Sequence, residues 1–155
     1  MSMLTREMTE ENHRRFIERA ATSEALWGIR VANGFAYAES NAVDRGGHDV
    51  TPVLLFWSDR KYAARAQRES YPEGRVELLT LFDFLFRWLP GMEADGALAG
   101  TNWTGDLIGA ELKPIALQEE LLNAMGRSGT HRVLRVPLVL SGDPARSRRH
   151  RYGGR

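Results

Sequence analysis

The chain has 155 residues, of which 43% are hydrophobic and 26% are charged, a size and composition typical of one soluble globular domain with its own core. It contains no cysteine, which excludes a disulfide framework and a thiolate metal site and is compatible with a reducing cytosol. The first eleven residues lack the apolar region of a signal peptide, and no uncharged apolar run approaches the roughly 18 residues of a membrane span. We therefore expect a soluble, cytoplasmic, single-domain protein without a membrane segment.

The net charge of +1 is unevenly distributed along the chain. Residues 1–125 hold 13 Lys/Arg against 19 Asp/Glu, a net charge of −6, whereas residues 126–155 hold 8 Arg against Asp143, a net charge of +7. Blocks of like charge are typical of interaction tails. The basic end could therefore contact nucleic acid or an acidic partner, or fold back on the acidic body.

The first predicted element is a helix over residues 9–22, with Thr9 as its N-cap and an apolar stripe that includes Phe16 and Ile17. His13 lies one turn before this stripe. Because the sequence places no second histidine or carboxylate to complete a site, we interpret His13 as a residue at the border of the stripe and not as a metal ligand.

A β-hairpin is predicted next, formed by residues 25–32 and 35–39 around Asn33-Gly34. Asn-Gly supplies the two positive φ angles that a type I′ turn needs. A loop of these two residues would set Val31 opposite Ala36 and Arg30 opposite Tyr37. We read the Arg30–Tyr37 face as a solvated rim in preference to a cation–π contact.

Residues 41–49 form a polar loop that holds a compact acid–histidine group, Asp44, His48 and Asp49. It would offer a metal at most three ligands on a flexible backbone, so we interpret it as a solvated connection.

Three elements follow this loop. The continuous apolar run over residues 53–57 predicts a central strand covered on both faces. Ser58 is the predicted cap of a helix over residues 59–69, whose inward stripe includes Tyr62. Alternating residues 75–78 predict a half-buried strand.

The densest apolar segment of the chain is residues 80–91. Thr80 is placed to cap a helix, and Asp83 and Arg87 form an i,i+4 pair on its polar side. Because proline disfavours helical geometry in the residue before it, Pro90 and the following glycine are predicted to end this helix. Apolar residues cover nearly all of its surface, which predicts a plug that seals the sheet.

Strands are predicted over residues 97–103 and 107–112, and a helix over residues 114–126. The fold class that these elements predict is α+β. It is a single domain with an antiparallel or mixed sheet of about five or six strands and about four helices, mainly on one face.

Eight short segments occur in the order seen in one bacterial family: Leu26-Trp27-Gly28, Gly34-Phe35-Ala36, Pro52-Val53 with Phe56-Trp57, Tyr62-Ala63, Asp83-Phe84-Leu85, Arg87-Trp88-Leu89-Pro90-Gly91, Asp95-Gly96 and Gly100-Thr101-Asn102-Trp103. Over about residues 9–124 the chain resembles the family catalogued as domain of unknown function 2750. The resemblance implies a small, soluble, single-domain bacterial protein. It supplies no activity and no catalytic residues.

The chain departs from that family by about thirty residues at its C-terminus. We expect a globular domain over residues 1–126, a strand-like extension over 127–140, and a basic, disordered tail over 141–155. Pro137 would restrict the extension to a sheet edge. Alternatively, its apolar side chains stay unpaired and dock on the body or on another copy, which makes a dimer conceivable.

Catalytic motifs are absent from the sequence. We find no glycine loop before a phosphate-binding lysine, no G-x-S-x-G, no H-E-x-x-H and no dinucleotide fingerprint, and the four histidines are scattered. We therefore assign no catalytic residue, cofactor or metal ligand, which favours a protein that is not an enzyme.

Three hypotheses about function remain. We prefer a protein-binding module that uses the exposed side of the sheet or the aromatic residues Trp27, Tyr37 and Trp103. The second hypothesis is a protein that contacts nucleic acid through its tail, with binding that weakens strongly as salt rises. The third is an enzyme whose site is assembled from dispersed residues. The arginines proposed to contact nucleic acid are Arg146, Arg148, Arg149 and Arg151.

Overall fold

The computed structural model describes residues 3–40 and 51–128. The helices are α1 Met3–Ser23, α2 Arg60–Ser70, α3 Leu81–Asp83, α4 Leu89–Asp95 and α5 Pro114–Ser128, with a π-helical turn, Phe84–Trp88, between α3 and α4. The strands are β1 Ala25–Val31, β2 Gly34–Phe35, β3 Tyr37–Glu39, β4 Pro52–Phe56, β5 Arg75–Thr80, β6 Leu98–Thr101 and β7 Ala110–Leu112. Among these residues no helix is long and apolar enough to cross a membrane.

The strands form two sheets that share one chain segment. The first has the order β2-β1-β5 and is antiparallel; the second has the order β3-β4-β6-β7 and contains a parallel pair, β4 and β6. At Ala36 the chain passes from one sheet to the other, because its N–H donates to Ile29 while its carbonyl accepts from Leu55. Trp27 and Trp57 join the sheets again through two reciprocal backbone hydrogen bonds of 2.8 Å.

The hydrophobic core lies on both faces of the sheets. One cluster packs α1, α5 and the helical residues 81–95 against one face, and a smaller cluster packs α2 against the other. Within the described residues, counting β2–β3 as one bent strand and 81–95 as one helix gives six strands and four helices. The predicted α+β class, with a mixed sheet and helices mainly on one face, is confirmed.

The predicted hairpin turn was wrong by one residue, which shifts each predicted cross-strand partner by two. Val31 pairs with Gly34 and Arg30 with Phe35, so the loop is Ala32-Asn33 and Gly34 already belongs to a strand. The reason is the burial of Phe35, whose ring lies so close to Gly28 that a Cβ there would come within 2.9 Å of it. Packing of this ring outweighs the preference of Asn-Gly for a type I′ turn. The Arg30 guanidinium consequently lies 4.7 Å from the centroid of the Phe35 ring.

The segment 80–91 begins as predicted but does not end at Pro90. Thr80 Oγ1 accepts the Asp83 N–H at 3.1 Å, and Arg87 pairs with Asp83 at 3.6 Å. The helix then continues to Asp95 and ends at Gly96, whose φ of 72° is left-handed. Pro90 is tolerated because it falls in the first turn of α4, where its missing N–H is not needed.

A widened turn makes this continuation possible. In the π-helical segment Phe84–Trp88 the Leu89 N–H donates to Phe84, five residues back, instead of to Leu85. Pro90, which would follow in the same pattern, has no N–H. The Leu85 carbonyl is therefore left without a partner in the helix, and the side-chain amide of Gln118 on α5 donates to it at 2.8 Å.

We expect Gln118→Leu to lower the free energy of unfolding by about 1–3 kcal/mol, because the half-buried Leu85 carbonyl would lose its donor. Chemical denaturation of purified protein measures this cost. Glu119→Leu is the control, since Glu119 is an exposed neighbour on the same helix and should change stability by less than about 0.5 kcal/mol. Equal stability of the Gln118→Leu protein and the unmodified protein would contradict this role.

Smaller differences concern helix ends. The cap of α2 is Asp59, whose carboxylate accepts the Lys61 N–H at 3.0 Å, and not Ser58. Tyr62, predicted to face inward, is 41% exposed. Helix α1 begins six residues before the predicted start, and α5 continues past residue 126 to Ser128. The first two residues of the predicted extension, 127 and 128, thus belong to a helix, and residues 129–155, with the rest of the extension and the tail, lie outside the described part of the chain.

Candidate functional site: a groove between two helices

The candidate site lies where the two parallel strands end. Strands β4 and β6 run side by side, with Phe56 opposite Thr101, and each is followed by a loop at the same edge of the sheet. Helix α2 begins directly after β4, and α1 crosses this edge, since Asn102 and Asp59 both contact it. The carboxyl ends of parallel strands are a common position for ligand sites in α/β proteins.

Asn102 holds the three elements at this edge together. Its side-chain oxygen accepts the Ser58 N–H at 2.9 Å, and its amide nitrogen donates to the Asn12 carbonyl at 3.1 Å and to the Ser58 hydroxyl at 3.0 Å. The residue is 6% exposed and its φ of 49° is left-handed, a region that asparagine tolerates better than most residues. Asn102 therefore fixes the position of the loop that follows β6.

Trp103 forms the buried wall of the site. It is 3% exposed, its indole N–H donates to the Ala110 carbonyl at 2.8 Å, and its own carbonyl accepts from the Trp57 indole at 2.9 Å. Gly109 lies against the ring so closely that a Cβ there would come within 2.2 Å of it. Because the ring is buried and its N–H is already hydrogen-bonded, Trp103 shapes the wall of the site but offers no hydrogen bond to a ligand.

Two depressions follow one another between α1 and α2. The first, which we name the cleft, has a volume of about 560 Å³; the second, which we name the Trp27 depression, has a volume of about 380 Å³. An ion pair of 2.7 Å between Arg19 and Asp59 joins the two helices beside them. The cleft is lined by Asn12, Arg15, Tyr62, Arg65, Glu69 and Asn102–Asp106, and the Trp27 depression by Arg19, Thr22, Ser23, Trp27 and Ser58–Arg60.

The spacing of these residues places both depressions along the same faces of the two helices. On α1, Asn12, Arg15, Arg19 and Thr22 recur every three or four residues and so share one face of the helix. The facing residues of α2 recur in the same way from its N-terminus to Glu69. We name the whole feature, cleft and Trp27 depression together, the α1–α2 groove.

Charges in the cleft differ in how they are paired. Arg65 is held by Glu69 at 3.2 Å. Arg15 is half-buried, and among residues 3–40 and 51–128 it has neither an ion pair nor a hydrogen bond. Glu11 lies one turn before Arg15, but its carboxylate is bound by the Arg14 side chain. The hydrogen bond from Arg14, together with the charges of Arg14 and Arg15, lowers the pKa of Glu11. Arg15 therefore lines the cleft as a cation whose N–H groups have no hydrogen-bond partner within the described part of the chain.

His13 lies beneath the site and does not face it. Its Nδ1 is 2.7 Å from the Thr101 hydroxyl and its Nε2 is 3.0 Å from Glu120. A carboxylate only accepts, so Nε2 carries a hydrogen, and Nδ1 can accept from the hydroxyl. The order hydroxyl–imidazole–carboxylate resembles a nucleophile with its base, but Thr101 is 0% exposed and no substrate can reach it. The contact instead ties α1 to β6 and α5.

One family profile, described as a protein of unknown function (DUF2750), matches residues 13–121. The chain belongs to this family. The match agrees with the resemblance over about residues 9–124 and covers the second half of α1, all of β1 to β7 and the first half of α5. Of the residues that line the groove, Asn12 alone lies outside it. Neither the comparison with curated proteins nor that with solved structures gave a match.

Of the aromatic residues predicted to bind a partner, this DUF2750 member brings two to the groove. Trp27 is half-buried in the Trp27 depression and Trp103 is the wall of the cleft. Tyr37 lies elsewhere, on β3, where its carbonyl accepts the Tyr71 hydroxyl at 3.1 Å. Burial, and then the neighbouring Tyr37, raises the pKa of Tyr71.

The remaining predicted groups lie outside the described residues. These are the acid–histidine group Asp44, His48 and Asp49 and the tail arginines Arg146, Arg148, Arg149 and Arg151. In the described ranges, no three His, Asp or Glu side chains are grouped to hold a metal ion. Nothing in the sequence indicated Arg15, because the cleft that it lines is formed with α2 and the loop after β6, which are distant in the chain.

Proposed function

We propose that this DUF2750 protein is a protein-binding module that receives a segment of a partner protein in the α1–α2 groove. The observation that carries the proposal is the groove itself, with two successive depressions of about 560 and 380 Å³ along the same pair of helices. An elongated groove suits an extended segment better than a compact small molecule, which normally occupies a single pocket.

The charges of the groove indicate the kind of segment. Its lining holds four arginines and three carboxylates, whereas residues 1–125 as a whole carry a net charge of −6. The groove is thus locally positive on an acidic body, which favours a partner segment with acidic residues. Trp27 offers that segment a large amphipathic surface, of the type enriched at protein interfaces.

Binding explains the groove better than catalysis. A general base must reach the proton that it removes, and a nucleophile must be accessible to substrate. Neither described depression is lined by a histidine, and the hydroxyl that does contact one belongs to the inaccessible Thr101. The polar groups of Asn102 and Trp103 are engaged in holding the loop, as expected for a rigid binding surface.

The nucleic-acid hypothesis rests on the tail alone, and no contact of the described residues bears on it. We rank it second for that reason. Our proposal includes a bacterial, cytoplasmic setting, as the sequence led us to expect, and leaves open whether the module works as a monomer or a dimer.

The test compares what three forms of the full chain recover from a lysate of the source organism: the unmodified protein, Tyr62→Ala and Leu78→Ala. Tyr62 lines the cleft and Leu78 does not, and both are exposed, by 41% and 58%. We expect one protein to be recovered stoichiometrically by the unmodified chain and by Leu78→Ala, and to be depleted with Tyr62→Ala. Recovery that is the same with all three forms, or of no stoichiometric protein, would contradict the proposal.

A further inference from the structure

We infer that the cleft receives a carboxylate of the partner segment and that Arg15 is the residue that pairs with it. This inference rests on the proposed function and names the chemistry that the groove recognises. It follows from the hydrogen-bonding capacity that each polar group of the cleft retains for a ligand.

Beside the carboxylates of Glu69 and Asp106, the cleft has side chains that can still donate a hydrogen bond to a ligand. The amide of Asn102 and the indole N–H of Trp103 are already engaged. Thr104 accepts the Ile108 N–H at 3.3 Å, so its hydroxyl hydrogen can be donated. Tyr62 adds a phenolic O–H, and Arg15 adds a guanidinium with five N–H groups. A ligand that satisfies these groups must be an acceptor, and an anionic one is favoured.

Arg15 is the cation best placed for such a ligand. Arg65, the other arginine of the cleft, is exposed and already pairs with Glu69 at 3.2 Å. Arg15 is half-buried and lines the cleft together with the loop after β6, where water screens charge less than on an open surface. A planar guanidinium with both edges free binds a carboxylate through two parallel hydrogen bonds. One free arginine matches the single charge of a carboxylate, whereas phosphorylated motifs are usually bound by clusters of arginines.

Asp106 provides a check on the sign of the recognised charge. It lines the same cleft as an exposed carboxylate at the rim. If the ligand is an anion, Asp106 repels it, and removal of this charge should tighten binding. If the ligand is a cation, the effects of Asp106 and Arg15 should both be reversed.

The experiment titrates the full chain with three capped tripeptides, acetyl-Gly-X-Gly-amide with X as Glu, Gln or phosphoserine, and with the free acid acetyl-Gly-Gly-Gly. Binding is followed through the NMR signals of the Trp103 indole and of the Thr104 and Gly105 amides. We expect saturable, millimolar binding of the Glu peptide, of the free acid, or of both, and at least about tenfold weaker binding of the Gln peptide. These two carboxylate probes distinguish a side-chain source from a C-terminal one.

Matched variants then locate the contact. Arg15→Gln should weaken binding of the carboxylate probe at least about tenfold, and Asp106→Asn should tighten it. Arg6→Gln removes the same charge from an exposed position of α1 outside the cleft and should leave the affinity unchanged. Binding of the Gln peptide as tightly as the Glu peptide, preference for phosphoserine, no saturable shift with either carboxylate probe, or an unaffected Arg15→Gln protein would overturn the inference.

These outcomes are separable from those of the proposed function. A Tyr62→Ala chain that loses the partner while Arg15→Gln retains it would keep the groove as the binding surface and reject its selectivity for a carboxylate. If the cleft binds a carboxylate but recovery of the partner does not depend on Tyr62, the carboxylate site is kept and the groove is rejected as the surface that binds the partner.

Discussion

Replacing Trp88 with Ala should lower the free energy of unfolding by about 3–5 kcal/mol and threaten folding. Trp88 is buried, and its ring packs edge-on against Phe35 at 4.6 Å and Phe56 at 5.9 Å between centroids. Its removal would open a cavity where the helical segment 81–95 meets the sheet. Chemical denaturation followed by far-UV circular dichroism measures the loss.

Phe82→Ala is the control for this prediction. Phe82 lies in the same helical segment but is only half-buried, with its ring 5.1 Å from that of Phe86, and we expect its replacement to cost about 1–2 kcal/mol. A Trp88→Ala protein that stays fully stable but loses its partner would show that the segment 81–95 is a binding surface and not the plug of the sheet.

Asn102→Ala should lower the free energy of unfolding by about 2–4 kcal/mol. The substitution leaves the buried Ser58 N–H without its acceptor, and it places a residue with a Cβ at a left-handed φ of 49°. Because Asn102 positions the loop that forms the cleft, the variant should also shift the NMR signals of Thr104 and Gly105. Chemical denaturation measures the loss of stability, and comparison of the NMR spectra of the variant and the unmodified protein measures the shift.

Asn102→Gly separates the two causes. Glycine adopts the left-handed conformation without strain but supplies no hydrogen bonds, so it should be more stable than Asn102→Ala by about 1 kcal/mol. Identical losses for the two variants would mean that the backbone conformation contributes nothing. Loss in neither variant would refute the role of Asn102 in holding β4, the loop after β6 and α1 together.

Local signals in the sequence were sufficient for most of the fold. The Thr80 cap and the Asp83–Arg87 pair depend only on near neighbours in the chain, and both are confirmed. The continuous apolar run at β4 correctly indicated a strand covered on both faces. Such features are readable because residues within four positions decide them.

Predictions failed where a distant residue outweighed a local preference. Pro90 did not end its helix, because the turn before it is widened and the Gln118 side chain from α5 donates to the Leu85 carbonyl, which the missing proline N–H leaves without a donor. Asn33-Gly34 did not form the hairpin loop, because Phe35 packs against Trp88. In both cases the outcome depends on contacts between residues that are distant in the chain, and these cannot be read from a short stretch of sequence.

The groove was beyond prediction for the same reason. Its walls come from three stretches of the chain, 12–27, 58–69 and 102–106, two of which are brought together by the parallel pairing of β4 and β6. His13 and Glu120 are separated by 107 positions, so the sequence could not show that His13 has a carboxylate partner. Trp27 and Trp103 were selected as aromatic residues, but only the fold shows that one lines a depression and the other supports a cleft.

The central claim is that this DUF2750 protein binds a partner in the α1–α2 groove. Its most direct test is calorimetric titration of the purified partner, once captured, into the unmodified chain, Tyr62→Ala and Leu78→Ala. The groove predicts an affinity at least about tenfold weaker for Tyr62→Ala and unchanged for Leu78→Ala. Equal affinity for all three forms, each shown to be folded, would place the binding surface elsewhere on the molecule.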